Sequence, residues 1–236
     1  MNALLAPIAA HPLALSLAVA VLATVMALVV GLPTAWLLAR RSFRGRSLLE
    51  VLVLLPMVLP PTVIGYYLLV AVGRQSFIGG LYERITGSAL VFTPAAAVLA
   101  TFVAATPFLI RAAQGGFEQL DTSYEDAART LGRSEWSVFL SVSLPMARRS
   151  ILAGTALAFA RAMGEFGATL MLAGNIPGRT QTASLAVYDA VQAGDSARAT
   201  QLALLLSATS LAALWLLTRA NTNRRNELQH DLRDPR

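Results

Sequence analysis

The chain has no cysteine and no lysine, and its only histidines are His11 and His230. Without cysteine there is no disulfide framework, no thiolate metal site and no thiol nucleophile. Without lysine the chain cannot carry the phosphate-binding loop GxxxxGK followed by Ser or Thr, whose lysine reaches the phosphates. Any ATP energy must therefore arrive through another polypeptide. The two histidines stand at opposite ends of the sequence, and no HExxH or GxSxG pattern occurs. An intramembrane enzyme would need a nucleophile, an acid–base pair or a metal site. The residues for one are missing, and no cofactor is expected. Charge is scarce as well, at 14% of the 236 positions, against about a quarter in an ordinary soluble domain. Hydrophobic residues reach 56% and the mean hydropathy is +0.59, so the solvent of this chain is expected to be mostly lipid.

What is present comes in blocks. Five apolar runs, near 13–38, 48–72, 90–110, 150–172 and 200–218, each approach or exceed the roughly 20 residues of a spanning helix. The first is longer than a signal-peptide core, follows no charged segment and precedes arginines, so it is expected to stay as a span. All 19 basic residues are arginine. In a soluble protein that balance would suggest nucleic-acid binding, but here the arginines cluster at the ends of apolar runs and no nucleic-acid partner is expected. Arg40, Arg41, Arg44 and Arg46 follow the first run. Arg111, Arg129, Arg133, Arg148 and Arg149 occupy the long central loop, and Arg219, Arg224, Arg225, Arg233 and Arg236 the tail. The alternate loops hold only Arg74, Arg84, Arg179 and Arg198, four against fourteen. The richer side is expected to be cytoplasmic, which puts the N-terminus outside and the C-terminus inside. The expected fold class is an all-α polytopic membrane bundle of about five transmembrane helices. It divides into an external segment (1–12), a membrane domain (13–218) and a cytoplasmic tail (219–236). From Asn221 the tail is charged and without apolar periodicity, and is expected to be disordered. No repeat of 20–50 residues is evident.

Two of the runs contain residues that lipid tolerates poorly. The second includes Pro56, Pro60, Pro61 and Gly65. Prolines remove helix hydrogen bonds and must kink or interrupt a span, and freed carbonyls belong where protein or a water-filled path satisfies them. This segment either lines a gated pathway or only shapes packing. In the fourth run Ala156, Ala160, Gly164 and Ala168 recur every four residues, a small-residue face suited to close helix approach. One position round, Arg161, Glu165 and Thr169 form a polar stripe at the same spacing. Arg161 and Glu165 can pair at i,i+4. Charged groups in a membrane face a bundle interior or an aqueous path, so the stripe is either a structural pair or a contact for a passing solute. Arg161, or the positive end of a broken helix, would attract an anion.

The central loop, 118–145, has the features of a docking surface. Thr122 with Glu125 fits a capping box, Gly132 stands where a left-handed helix end is wanted, and Ser134 can cap a second short helix that Pro145 stops. Leu120, Tyr124, Ala127, Ala128 and Leu131 supply a modest apolar face. From these residues alone, a hairpin resting on lipid headgroups and a dock for a soluble partner are both open.

Glu125-Asp126-Ala127-Ala128-Arg129-Thr130-Leu131-Gly132, followed by Val142-Ser143-Leu144-Pro145, resembles the EAA loop of permease subunits of ABC importers, with Asp126 before the alanine pair as in molybdate permeases. The stretch from Leu59-Pro60-Pro61-Thr62 through Gly65 to Leu69 resembles the proline-rich segment of molybdate permeases. So do Arg161-Ala162-Met163-Gly164-Glu165-Phe166-Gly167-Ala168-Thr169 and the continuation from Asn175-Ile176-Pro177-Gly178 to Tyr188. Related sulfate permeases share the Gly-Glu-Phe-Gly core. The resemblance runs from about Ser16 to Leu217. It implies a type I ABC importer permease fold with cytoplasmic coupling helices, in the inner membrane, that moves molybdate by alternating access without an ATPase site of its own. It also implies a homodimeric pathway, a separate homodimeric ABC ATPase and an external molybdate-binding protein. Glu125, Ala127, Ala128, Gly132, Leu144 and Pro145 would couple to the ATPase. Arg161, Glu165, Thr169, Pro60, Pro61 and Gly65 would line the path or form a polar core. Tungstate or sulfate are alternative cargoes. A secondary transporter is the remaining alternative class, although such proteins usually show two similar halves and several buried titratable groups.

Overall fold

The computed structural model describes residues 1, 5 and 7–231, with the side chains of 217, 218 and 220–231 outside that description. Arg233, Arg236 and residues 2–4 and 6 of the N-terminal segment lie outside it. Every regular element among the described residues from Pro12 onward is helical. In chain order these are α1 (Pro12–Arg40), α2 (Arg46–Val58), α3 (Pro61–Val72), α4 (Phe77–Thr86), α5 (Pro94–Glu118), α6 (Ser123–Thr130), α7 (Glu135–Val138), a π-helical turn (Phe139–Ser143), α8 (Leu144–Met146), α9 (Arg148–Met163), α10 (Gly167–Ala173), α11 (Ala183–Gln192) and α12 (Ser196–Asp231).

Among the described residues three helices are long and apolar enough to cross a membrane: α1, α5 and the Ser196–Leu216 part of α12. Two further spans are bent pairs, α2 with α3 at 120° and α9 with α10 at 60°. The expected five runs are therefore present, but two are not continuous. The first break has a direct cause. Pro60 and Pro61 supply no N–H, and a residue before proline is pushed out of the helical region. Leu59 accordingly sits at φ −74°, ψ 142°, and Pro61 restarts the chain as the first residue of α3, a position where proline costs nothing. The second break contains no proline. Phe166 leaves helical geometry at φ −131°, and the Glu165 carboxylate takes the Ala168 N–H at 2.8 Å, covering a donor that the broken ladder leaves free. The small-residue face expected along the fourth run is lost at this bend: Ala156 and Ala168 are buried, while Ala160 and Gly164 are exposed.

Lipid tails are as apolar as leucine, so packing rather than hydrophobicity must hold spans together. The α1–α5–α9 core is built accordingly from small residues, among them Ala20, Ala27, Ala105, Ala158 and Ala162. Gly116 lies so close to α9 that a Cβ there would stand 2.3 Å from the Ser150 Cβ. One on Gly154 would stand 2.9 Å from the Ala112 Cβ. At the other end, Leu5 and Ala9 of the N-terminal segment pack with Leu15, Val72, Val98 and Leu172.

Two helices fall in segments that the sequence reading treats as polar connections. In α4, Ser76 accepts the Gly79 N–H at 2.9 Å, and Gly87 ends the helix at φ +73°. The helix is ten residues long, too short for a hydropathy pattern to separate it from loop. The second such helix is α11. The expected disorder of the tail is also corrected, because α12 continues to Asp231. No glycine or proline occurs between 196 and 231, and adding residues to an established helix is far easier than starting one.

A close inter-span contact also joins α3 and α10, where a Cβ on Gly65 would meet the Met171 Cβ at 2.6 Å and the Ala168 Cα at 2.9 Å. Gly65→Ala is expected to cost about 1–3 kcal/mol through overpacking. Gly115→Ala has open space around the new carbon and is expected to be neutral or stabilising by up to about 1 kcal/mol. Thermal unfolding of the two purified variants in detergent checks the contrast.

Candidate functional site

Two sets of residues separated in sequence are drawn together. The first lies where the central loop meets the end of α1. After α5, Asp121 accepts the Ser123 N–H at 2.9 Å and opens α6; that bond holds its carboxyl below the usual aspartate range. Thr122 makes no side-chain cap, so the capping box expected between Thr122 and Glu125 does not form. Glu125 is occupied elsewhere. Its carboxylate turns into the subunit, 1% exposed, and meets the Arg40 guanidinium at 3.0 Å. It also accepts the Ser143 hydroxyl at 2.6 Å. Arg40 donates a second bond to the Leu120 carbonyl at 3.1 Å, and the Trp36 indole donates to Ser143 at 3.2 Å. A tertiary partner with full charge outcompetes a local cap because an unpaired carboxylate out of water is far more costly than an open helix N-terminus.

The rest of the loop follows the pattern read from sequence. Gly132 adopts φ +78°, its N–H reaches the Arg129 carbonyl at 2.9 Å, and the Arg133 N–H reaches Ala128 at 3.1 Å. This two-bond left-handed cap satisfies the orphan carbonyls of α6. The Ser134 hydroxyl accepts the Ser137 N–H at 3.3 Å and starts α7. Arg129 fastens α6 to α7 across the glycine with a bond to Glu135 at 2.9 Å, and is itself held within α6 by Asp126 at 2.7 Å. Arg41 reaches Glu135 at 2.9 Å. The Arg129 fork lowers the Glu135 carboxyl below its ordinary range. Pro145 does not stop the second helix, as the sequence suggests it would. The chain widens into the π turn just before the proline, continues as α8 and bends at Ala147 into α9. A wide turn accommodates a ring that would otherwise press on the carbonyl four residues back. Leu144 is half-buried and Pro145 exposed.

The outer side of the helix pair carries Tyr124, Leu131, Trp136 and Leu140, all exposed, Leu131 to 84%. Asp126 and Ala127 are exposed on α6, and Ala128 is half-buried. Of the two adjacent acids, Asp126 therefore faces outward and Glu125 inward. Arg40, Trp36, Ser143 and Glu135 escaped the sequence reading. Arg40 contributed only as one of a group of charges, and nothing local marks a partner 85 positions away.

The second set brings the proline-rich stretch against the Gly-Glu-Phe-Gly stretch. A Cβ on Gly167 would stand 2.9 Å from the Pro61 Cβ, and Gly65 meets Ala168 as described. Arg161 and Glu165 pair at 2.6 Å, with Glu165 buried and Arg161 partly exposed. Ser184 donates to the Glu165 carbonyl at 2.8 Å, and the Phe166 and Tyr188 rings lie 5.2 Å apart. Thr169 is buried on the far side of the bend, its hydroxyl without a hydrogen-bond partner among the described residues; it does not join the pair. Pro60, Pro61, Thr62, Ala160 and Gly164 leave this locus open on one side.

Beyond it, Asn175, Gln181 and Asp189 bond to one another at 3.0–3.1 Å, fixing the 174–182 loop. Among the described residues no group of three or more His, Asp or Glu is arranged to hold a metal ion.

Residues 27–225 match a family model described as binding-protein-dependent transport system inner membrane component. The chain is 44% identical over 210 residues to the Molybdenum transport system permease protein ModB of Haemophilus influenzae, covering 87% of this chain and 92% of that one. It is 40% identical over 206 residues to Sulfate permease 2, chloroplastic, of Chlamydomonas reinhardtii, covering 87% of this chain and 56% of that one. Its backbone is similar to a chain of the inward-facing MetNI methionine ABC transporter, with a TM-score of 0.65 over 89% of this chain and 90% of that one, at 16% identity. That likeness shows the fold, a type I ABC importer permease. The chain belongs to the family of inner-membrane components of binding-protein-dependent transport systems, as a multi-pass permease subunit.

Proposed function

We propose that this chain is the permease subunit of an ABC importer that carries molybdate across the inner membrane by alternating access, driven by a separate homodimeric ATPase. The observation that carries the reading is the helix pair α6–α7. It is broken at Gly132, clamped by Arg129, anchored inward by Glu125 and left with an apolar outer face that no described residue covers. An exposed apolar face of this kind suits a groove on a soluble partner. Asp126, Ala127, Leu131 and Trp136 would meet the ATPase, while Ala128, Leu144 and Pro145 shape the segment behind them.

Two copies of the chain would enclose the path. The arginine count supports an external N-terminal segment (1–12), a membrane domain (13–218) and a cytoplasmic tail (219–236), and hence a C-terminus on the ATPase side. An external binding protein specific for molybdate would supply the cargo. The α3–α10 locus, with Pro60, Pro61, Gly65, Arg161, Glu165 and Thr169, would border the path, with Arg161 supplying positive charge for an oxyanion. Molybdate is favoured by the relative named for molybdenum transport. Tungstate shares its shape and charge, and the sulfate permease at 40% identity keeps sulfate as the second reading.

Proteoliposomes holding this chain, its ATPase and its binding protein are expected to take up molybdate only with internal or external ATP at the nucleotide-binding face. Tungstate should compete strongly and sulfate weakly. Sulfate uptake at equal efficiency would move the assignment to sulfate, and uptake driven by an ion gradient without ATP would overturn the importer reading. Gly132→Pro is expected to abolish uptake while leaving membrane insertion intact, because proline cannot adopt φ near +78°. Glu165→Gln is expected to reduce complex assembly or uptake, since it leaves Arg161 without its counter-charge; breaking such a pair costs about 1–3 kcal/mol for a partly solvated group. Purification yield and initial uptake rate measure the two effects.

A further inference from the structure

We propose that Arg40 is a positioning residue that latches the helix pair to α1, so that force applied to α6–α7 by the ATPase is passed into that span. The inference rests on the importer reading above. Its starting point is the direction of Glu125. In an exposed coupling surface the acid at the head of the loop would be free to meet a partner. Here its side chain is 2% exposed, that of Arg40 is 9% exposed, and the two meet at 3.0 Å. Neither group is available to the ATPase. The acid that is available is the next residue, Asp126, whose side chain is 65% exposed.

The latch has several fastenings. Arg40 Nε bonds Glu125 on α6, and Arg40 Nη2 bonds the Leu120 carbonyl just before α6 at 3.1 Å. Ser143, in the π turn, donates to Glu125 at 2.6 Å and accepts from Trp36, one helical turn before Arg40, at 3.2 Å. Three elements are thus joined through one buried carboxylate, and they cannot shift independently without breaking charge-assisted bonds in a site closed to water. The span so gripped is long. Its 29 residues extend about 44 Å at 1.5 Å per residue. Near its other end the Ser16 hydroxyl accepts the Ala183 N–H at 2.8 Å, directly beside the Asn175–Gln181–Asp189 loop. A helix that runs unbroken through Pro33 and is held at both ends is a means of carrying displacement between the two faces of the membrane.

A purely structural ion pair would lower stability and leave the stoichiometry of assembled complexes alone; a latch would alter that stoichiometry. The test is ATP hydrolysed per molybdate imported, measured in proteoliposomes of the complete complex with matched amounts of assembled transporter. Arg40→Gln is expected to raise the ratio by about tenfold or more, a coupling change of the usual size for linked sites. Arg40→Lys, which keeps charge but not the two-pronged reach, should recover part of the loss. Glu125→Gln added to Arg40→Gln should add little, because both remove the same link. Should Arg40→Gln fail to assemble, Ser143→Ala removes one fastening without stranding a charge and is expected to raise the ratio by about threefold. An unchanged ratio in whichever of these assembles overturns the latch, while a wild-type complex that imports no oxyanion under ATP removes the importer reading and the latch with it.

Discussion

A carboxylate kept from water must be met by charge and hydrogen bonds, and that requirement organises the end of this protein that carries the central loop. Glu125 is satisfied only if the end of α1, the start of α6 and the π turn converge on it, since Arg40 comes from the first, the carboxylate from the second and Ser143 from the third. Removing one partner of a buried pair of this kind typically costs about 3–5 kcal/mol, whereas a surface pair such as Arg129 with Asp126 contributes about 0–1 kcal/mol. The inner pair therefore fixes where the helix pair sits, and the outer bonds tune its shape. Packing serves the same end: Trp36 and Phe117 both lie against Phe139, with ring centroids 5.4 Å and 6.2 Å apart, so the anchored region is apolar as well as charged.

The same solution recurs inside the membrane domain. Glu165 is buried, pairs with an arginine one turn earlier and accepts the N–H of Ala168. In both places a buried glutamate meets an arginine, and Glu165 also accepts an N–H that the helix interruption frees. Breaks in spans are tolerable only where freed backbone is satisfied or buried against protein. The α2–α3 break meets that demand differently, with prolines that have no N–H to satisfy. Its neighbour across the interface is Gly167, whose missing side chain lets the Pro61 ring approach. The two broken spans thus fit one another, and a change in one break would be felt in the other.

Much of this was legible in the sequence, for physical reasons that differ by element. The five apolar runs could be read because hydrocarbon demands about 20 apolar residues per crossing. Gly132 could be read because a left-handed cap needs a residue without a Cβ. Pro60 and Pro61 announced a break, though not a 120° elbow. The bend at Gly164–Phe166 was hidden, because Arg161 and Glu165 at i,i+4 look like partners on one unbroken helix; they do pair, and the helix bends immediately after. The capping box was misread for the opposite reason: Thr122 and Glu125 satisfy a local rule, but Arg40, 85 positions earlier, makes a stronger demand on the same carboxylate. Local rules fail where a charged side chain has a distant partner, and both misreadings involve a buried glutamate.

The contrast between the two loci has a physical basis. A docking segment must present its contacts on one short stretch, so its glycine and caps occur at fixed local spacing. A transport path is assembled from elements far apart in sequence and must bind only weakly. In the α3–α10 locus, Arg161 is held by Glu165 at 2.6 Å, so the pair is nearly neutral as a unit. An isolated guanidinium in a low-dielectric channel would hold a dianion too firmly to release it, since attraction at a given distance grows as the effective dielectric falls. Pairing the arginine with a buried carboxylate reduces that field while leaving the guanidinium partly exposed. On the importer reading, selectivity for the anion is then best placed in an external binding protein, and this chain keeps enough positive charge to admit an oxyanion without trapping it.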